Sequence, residues 1–428
     1  MPEQAVTALQ AETRPAPPPL RRNRRFTLFW IGEGVSLLGN ATTTLLLPLA
    51  AITELGAGPG WMGALTAAAW LPWLVVGLPA GAWVDSWSPR SVMITADVVA
   101  AVALASVPVC VVLDALTLTQ LVVVALVNGT STVFFRSAYV KLVTDIVPSE
   151  HLEQANGRLL GTESAMQVAG PGIGGLVAHA VTAAGALLLD AVSFMVSAVC
   201  LWRLGPSSST SIEPSETPTL RSRIATGVAY VTHDHYLRVL IVIGCVSNFG
   251  LTGITTLLVL FLVDHVGLSS AGVGMVMACG SVGGLLGATL ASSASQRWGS
   301  GRVSTLFLVG SGVTSLLVPL GASGPRVVLT VLGLFGTGVL VVAGNVIRGA
   351  WRQRYVPAEL MGRVATTSQM INFGAMPLAG LTAGWLGAHL GLQVTLAVMA
   401  VINAVACWAI LLTPLRRARH LPAAPAGT

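Results

Sequence analysis

Residues 77–97 read GLPAGAWVDSWSPRSVMITAD: an apolar run, a short turn holding Asp85 and Arg90, and a second apolar run. A stretch of this kind reads as two membrane-spanning helices joined by a very tight loop, with charge kept in the loop and stripped from the flanks. The rest of the chain can be read as copies of this hairpin or partners for it.

The composition supports that reading. Of the 428 residues 54% are hydrophobic and only 9% are charged, whereas soluble domains carry roughly 25% charged residues. Such a chain cannot cover a water-facing surface, and with about 20 apolar residues needed per span its length accommodates roughly a dozen spans and no sizeable soluble domain. The apolar runs fall near 26–53, 61–84, 91–113, 116–138, 160–182, 184–203, 237–263, 270–292, 302–322, 326–347, 365–387 and 391–413. This predicts an all-α integral membrane protein with twelve transmembrane helices in two pseudo-symmetric six-helix bundles.

Charge sets the expected orientation. Of the 23 Lys and Arg residues only Arg326 falls at the second end of the spans, a positive-inside pattern that puts both termini in the cytoplasm of a cell with an inner membrane. The net charge of +6 therefore does not point to nucleic acid, because the basic residues share no soluble face. Residues 1–25, with Pro15, Pro17, Pro18 and Pro19 before Arg21, Arg22, Arg24 and Arg25, read as a disordered basic tail. The apolar run that follows continues for a full span, so it reads as an uncleaved first helix, not a signal peptide. Cys110, Cys200, Cys245, Cys279 and Cys407 lie singly in apolar runs and read as packing residues, with neither disulfide nor metal expected.

Two halves are legible. Residues 204–222, rich in Ser, Thr and Pro, read as a cytoplasmic linker between an N-terminal bundle (26–203) and a C-terminal bundle (223–413) that opens with an interfacial helix and is followed by a tail (414–428). SLLGNATTTLLLPL from Ser36 lies against SNFGLTGITTLLVL from Ser247 at an offset of 211, which also relates Gly63 to Gly274 and Trp87 to Trp298; at 209, Val147-Pro148-Ser149-Glu150 meets Val356-Pro357-Ala358-Glu359. Parallel six-helix repeats around a central cavity are one large transporter architecture.

The twelve spans, the central linker, and Gly81, Asp85 and Arg90 resemble the major facilitator superfamily, whose loop between spans two and three reads G-x-x-x-D-R-x-G-R-R. Ser86 and Ser88 stand where that loop usually has Arg and Gly. Val147, Pro148, Leu152, Ala155 and Asn156, with the run at 187–199, further resemble the enterobactin-exporter and macrolide-efflux branch; Phe135-Arg136-Ser137 stands where a Ser-Pro-Ala turn is commoner there. The resemblance implies a conformational latch, with Asp85 meeting a helix N-terminus in the other half, Arg90 supporting it and Gly81 allowing close approach. Without it, the same charges are only solvated positive-inside decoration. Gly157, Gly170, Pro171, Gly174 and Gly175 resemble the fifth-span antiporter motif of the family's exporters, with Met166 replacing one glycine. Read without the family, they are a small-residue packing face.

A carboxylate inside the bilayer costs several kcal/mol unless paired or neutral. Glu33 (first span), Asp97 (third), Glu163 (fifth) and Asp190 (sixth) have no Lys or Arg expected at comparable depth and are the proton-coupling candidates, Glu33 foremost. Asp190 could instead be hydrated near the outer surface, Glu163 a cap near the inner water, and Asp97 a structural acid. Asn40, Trp70, Trp73, Asn128, Asn248, Asn345, Gln369 and Asn372 are candidate cavity lining, since amides inside spans face the bundle; each could also only glue helices together. Trp30, Trp87, Trp202, Trp298 and Trp351 read as an interfacial belt, and the loop around Arg348, Arg352, Arg354 and Arg363 as an inner-face helix.

No Walker loop, Ser/His/Asp grouping or H-E-x-x-H occurs, so no cofactor is expected. The reading is a monomeric secondary exporter of amphipathic small molecules, drugs, antibiotics or siderophores, driven by proton antiport across the bilayer. An importer or uniporter of the same fold is the alternative, and a lipid-modifying membrane enzyme a more distant one.

Overall fold

The computed structural model describes residues 20–205 and 228–423. Among these residues every regular element is helical, as a bilayer demands of a chain that must satisfy its backbone hydrogen bonds within each segment. The first half contains α1 (Arg24–Leu55), α2 (Pro59–Val75), α3 (Gly77–Ser86), α4 (Pro89–Val112), α5 (Leu118–Ile146), α6 (Leu152–Ala180) and α7 (Ala183–Arg203). The second contains α8 (His235–Leu260), α9 (Ser270–Trp298), α10 (Ser300–Ser315), α11 (Val327–Tyr355), α12 (Ala358–Leu390) and α13 (Leu392–Trp408).

The helix ends are written in the sequence. Side chains of Asn23, Ser88, Thr117, Thr182, Asp234 and Ser269 each accept a hydrogen bond from a backbone N–H of the following first turn, satisfying donors the helix itself cannot. The second span is two helices instead of one. Pro79 has no N–H to offer the Val75 carbonyl, and the helix breaks at Val76.

Nine of these helices are long and apolar enough to cross a membrane unaided; α2 is shortened by the break, and α6 and α12 replace aliphatic residues with glycine and polar ones. Large apolar side chains such as Val102, Val112, Leu176, Val192, Leu378 and Leu412 point outward, a face suited only to lipid.

Within the first half α1 packs on α6 and α7, α4 on α5 and α7, and α2 on α5; within the second, α8 packs on α12 and α13, α10 on α11 and α13, and α9 on α11. The second set repeats the first, as the internal sequence repeat requires. Between the halves, α2 lies along α12 and α6 along α9.

Those two inter-bundle contacts are backbone against backbone. A Cβ placed on Gly63 would lie 2.6 Å from the Gly380 carbonyl oxygen and 2.9 Å from the Gly384 Cα; one on Gly175 would lie 2.6 Å from the Ser270 carbonyl oxygen and 2.8 Å from the Gly274 Cα. The offset of 211 that relates Gly63 to Gly274 also relates Pro59 to Ser270, and the offset of 209 relates Gly175 to Gly384 and Pro171 to Gly380. The two contacts are therefore one contact made twice. Both sit at the end of the spans away from the arginines, hereafter the far end.

At the far end a single apolar core runs through both halves, joining Leu45, Leu104, Leu187, Leu257, Phe261 and Leu396 among others. At the basic end there are two separate cores, one in each half. There Gly81, Gly157, Gly349 and Gly362 have open space where a Cβ would go. The protein is closed at the far end and parted at the basic end.

Several boundaries depart from expectation. The disordered tail does not reach residue 25: Leu20 is buried in the first half's basic-end core, and Asn23 donates from Nδ2 to the Ile146 carbonyl at 2.8 Å. The C-terminal segment is likewise held, with Leu415 and Leu421 buried and the Arg419 carbonyl accepting from Gly301 N–H at 3.1 Å. The linker from residue 206 onward, and the start of the expected interfacial helix, lie outside the described residues; residues 228–233 are helical.

Replacing Gly384 with Leu should overpack the α2–α12 contact, at a cost of about 1–3 kcal/mol, and open the far end. Spin labels on Trp61→Cys and Leu390→Cys in a background freed of the native cysteines should then move apart. An unchanged distance distribution would show that close backbone approach is not what holds that end shut.

Candidate functional site

Each half contains a polar cavity facing the other. That of the first half, about 230 Å³, is lined by α1, α4, α5, α6 and α7 and includes Glu33, Asn40, Asp97, Ser131, Arg136 and Glu163. That of the second, about 290 Å³, is lined by α8, α10, α11, α12 and α13 and includes Asn248, Asn345, Arg348, Gln369 and Asn372. Gln167 borders both the first cavity and a further space shared by α6, α8, α9 and α11, so the first pocket communicates with the seam between the halves.

Glu33 is only 4% exposed, and its Oε2 has no hydrogen-bond partner. It senses both the Arg136 guanidinium and the Glu163 carboxylate. Asp97, 1% exposed, lies beside Ser197 with neither carboxyl oxygen in a well-formed hydrogen bond. Glu163 forms an ion pair with Arg136, whose guanidinium also lies 5.9 Å from the centre of the Tyr139 ring.

The expectation that these acids have no cation at their depth is thus wrong for Arg136. The fourth apolar run was drawn to end at residue 138, but α5 continues to Ile146. At 1.5 Å per residue this places Arg136 about 15 Å up the helix from its end. A Phe-Arg-Ser sequence in place of a Ser-Pro-Ala turn was the available signal.

Asp190 lies behind this cavity, not in its lining. It is fully buried, and not at an exposed surface: Thr43 donates to one carboxyl oxygen and Ser193 to the other at 3.0 Å. Gly39 makes the room, since a Cβ there would collide with this carboxyl group. The contact ties α1 to α7.

The amides of the second half also come together. Asn248 donates to Asn372 Oδ1 at 2.9 Å, and Asn372 donates in turn to the Ser368 carbonyl at 2.8 Å. Arg348 is not in an inner-face loop; it lies within α11 and donates from Nη2 to Asn345 Oδ1 at 2.8 Å. Gln369 lines the same cavity. Asn128 lines neither, and its Oδ1 is buried without a partner. Trp70 and Trp73 are not pocket lining either: both rings pack on Phe373 of the other half, at centroid distances of 5.5 and 5.1 Å.

Of the expected tryptophan belt, Trp87, Trp202 and Trp298 are exposed. Trp30 instead donates to Thr162 at 2.8 Å beneath Arg158, and Trp351, 5% exposed, donates to the Pro422 carbonyl at 2.8 Å.

The fifth-span glycines divide their work. Gly170 and Gly174 press on Ala41 and Thr42 of α1, and Gly175 presses on Gly274 of the other half, where the Pro171 carbonyl also meets Gly274; Gly157 touches nothing. In the hairpin, the side chain of Asp85 lies outside the described residues, and Gly81 makes no close approach in this state. Arg90 does not reach across to the second half. It donates to the carbonyls of Leu201 at 2.8 Å and Trp202 at 2.5 Å, because these last carbonyls of α7 have a lone pair to spare beyond their backbone bonds from Leu204 and Gly205 and the helix dipole favours a cation there.

Two repeated helical bundles, closed at one end and meeting at polar pockets sunk within an apolar belt, define a membrane transporter. A profile of the Major Facilitator Superfamily matches residues 29–364 and again 240–428, and the chain belongs to that family. It is 26% identical to the multidrug efflux pump Tap of Mycolicibacterium fortuitum over 339 residues, 76% of this chain and 80% of Tap. It is 23% identical to macrolide efflux protein A of Streptococcus pyogenes over 380 residues, 86% of this chain and 91% of that protein. In fold it is similar to a bacterial homologue of the iron transporter ferroportin in an inward-facing state, with a TM-score of 0.74 and 16% identity over 92% of this chain and 99% of that one. Family and fold make it a transporter and not an enzyme.

Removing one partner of the Arg136–Glu163 pair leaves the other charge uncompensated inside the bundle. Arg136→Leu and Glu163→Leu should each lower the thermal unfolding temperature in detergent. The double variant should lose less than the sum, with a coupling of about 1 kcal/mol, since both side chains are partly solvated. Strict additivity would show that the pair contributes nothing.

Proposed function

We propose that this transporter exports amphipathic small molecules through the cytoplasmic membrane in exchange for protons, with its termini and its basic end in the cytoplasm. The observation that carries the proposal is the first-half cavity, whose described lining holds three acids, Glu33, Asp97 and Glu163, and one cation, Arg136. A carboxyl group without a partner in a low-dielectric site is cheap when neutral and costly when charged, so occupancy by a proton can be made to depend on which face of the membrane the cavity meets.

Glu33 is assigned the central role. It borders the cavity, one of its oxygens is free, and it competes with Glu163 for Arg136. With Glu33 neutral, Arg136 belongs to Glu163 alone; once Glu33 has lost its proton, the guanidinium is drawn to both. In the state described here the cavity would release the proton to the cytoplasm and take up solute from there. Rocking of the halves would part the Gly63–Gly384 and Gly175–Gly274 contacts and expose the site on the far side, where the solute leaves and a proton returns. Gly81, which makes no close approach now, and Asp85 are proposed to secure the basic end in that second state.

Export and an amphipathic substrate are supported by the efflux relatives and by a cavity that alternates amides with apolar wall. The positive-inside distribution supports the orientation.

Inverted vesicles containing the protein should accumulate a radiolabelled amphipathic candidate when their interior is made acidic. Glu33→Gln should reduce this to the level of vesicles lacking the protein while expression is unchanged. Substrate movement that never responds to an imposed pH gradient would dispose of proton coupling, and undiminished transport by Glu33→Gln would remove that residue from the mechanism.

A further inference from the structure

The second-half cavity carries positive charge that nothing around it balances. Arg348 and Arg352, one helical turn apart on α11, both line it, and no Asp or Glu does so among the described residues. Arg348 uses one nitrogen on Asn345, while its Nη1 is buried with no hydrogen-bond partner. The guanidinium lies over Gly344, where a Cβ would come within 2.8 Å of Nη1; the glycine gives this head group its place. The one buried acid among the described residues of this half, Asp234, is already engaged, capping α8 through the Leu237 N–H at 2.8 Å and accepting from the Tyr355 hydroxyl at 2.7 Å.

A guanidinium held among amides with a donor unspent is a receptor for an oxyanion, since it offers paired N–H groups in a fixed plane. The rest of the wall suits an organic body: Leu240, Ile241, Phe307, Leu308 and Phe373 are apolar. Asn248, Gln369 and Ser311 add neutral donors beside it. We propose that this cavity is the subsite for a carboxylate, or a comparable small oxyanion, borne by the amphipathic solute that the protein carries. This deepens the transport reading and rests on it in one respect only, that the cavity receives a solute. The other half's acids lie across the seam, so a solute with an anionic group at one end and a basic or neutral polar group at the other would meet a complementary charge on each side.

The test is equilibrium binding to the full chain in phosphatidylcholine nanodiscs, with dansylated undecanoic acid and its methyl ester as probes. The parent protein should bind the acid about ten- to a hundredfold more tightly than the ester, the value of one charge-assisted hydrogen bond to a buried partner. Arg348→Gln should abolish that preference by weakening the acid far more than the ester, and Arg348→Lys should retain part of it. Equal affinities of the parent for acid and ester, or an undiminished preference in Arg348→Gln, would overturn the proposal. The parent comparison needs no variant, so poor folding of Arg348→Gln cannot rescue the idea. A phospholipid head group could supply the same chemistry. Replacing part of the phosphatidylcholine with phosphatidylglycerol, at a salt concentration that screens surface charge, should leave the affinity for the acid unchanged; competition by the anionic lipid would assign the subsite to lipid and refute the solute reading. Because no gradient is applied, a protein that keeps its preference for the acid but transports without regard to pH would lose only its proton coupling.

Discussion

Two helices can lie backbone to backbone only where neither carries a side chain at the crossing, and this protein satisfies that constraint at two crossings related by its internal repeat. Lipid tails give no hydrophobic drive for helices to associate, so packing at close range has to hold them. Gly63 on Gly384 and Gly175 on Gly274 supply that range, and the shared apolar core of the far end grows around them. Remove the close approach and the halves have little else in common, since their basic-end cores are separate. The same property makes the joint reversible: a contact without interlocking side chains can part without repacking either bundle.

The repeat that builds the frame does not extend to the chemistry. At an offset of 211, Glu33 corresponds to Gly244, and at 209 Arg136 corresponds to Asn345. The first half thus concentrates carboxyl groups around one arginine, and the second has arginines and amides with no acid in its cavity. Backbone contacts obey the twofold because both halves must close together. Side chains in the pockets are not bound by it, since no contact between the halves requires them to match.

Much of the frame was legible in the sequence. Apolar runs marked the helices, capping residues and prolines marked their ends, and the offset of 211 already paired Gly63 with Gly274, one glycine from each of the two crossings. The acids and amides of the cavities were legible too, since a polar group in a span has few reasons to be there. What escaped was depth and direction. Arg136 and Arg348 looked like the basic edge of their spans because hydropathy cannot show that α5 and α11 run on past the bilayer's apolar zone. Trp30 and Trp351 looked interfacial for the same reason. Arg90 was matched to a motif by spacing, but spacing does not say which of several helix ends a long guanidinium will reach. Asp190 looked open to hydration near the outer surface, but it is fully buried, and its burial depends on Gly39 of another helix.

The break at Val76 divides the second span between two allegiances. The piece before it, α2, carries Gly63, Trp70 and Trp73 and lies along α12 of the opposite half; the piece after it, α3, packs on α5 of its own half and leads into the charged turn. A single rigid rod would transmit every tilt at one membrane face to the other as an equal and opposite swing. A rod with a knuckle at its middle does not. The far-end joint and the loop that begins at Gly81 can then change their angles separately, because the Val75 carbonyl has no Pro79 N–H to hold the two pieces in line.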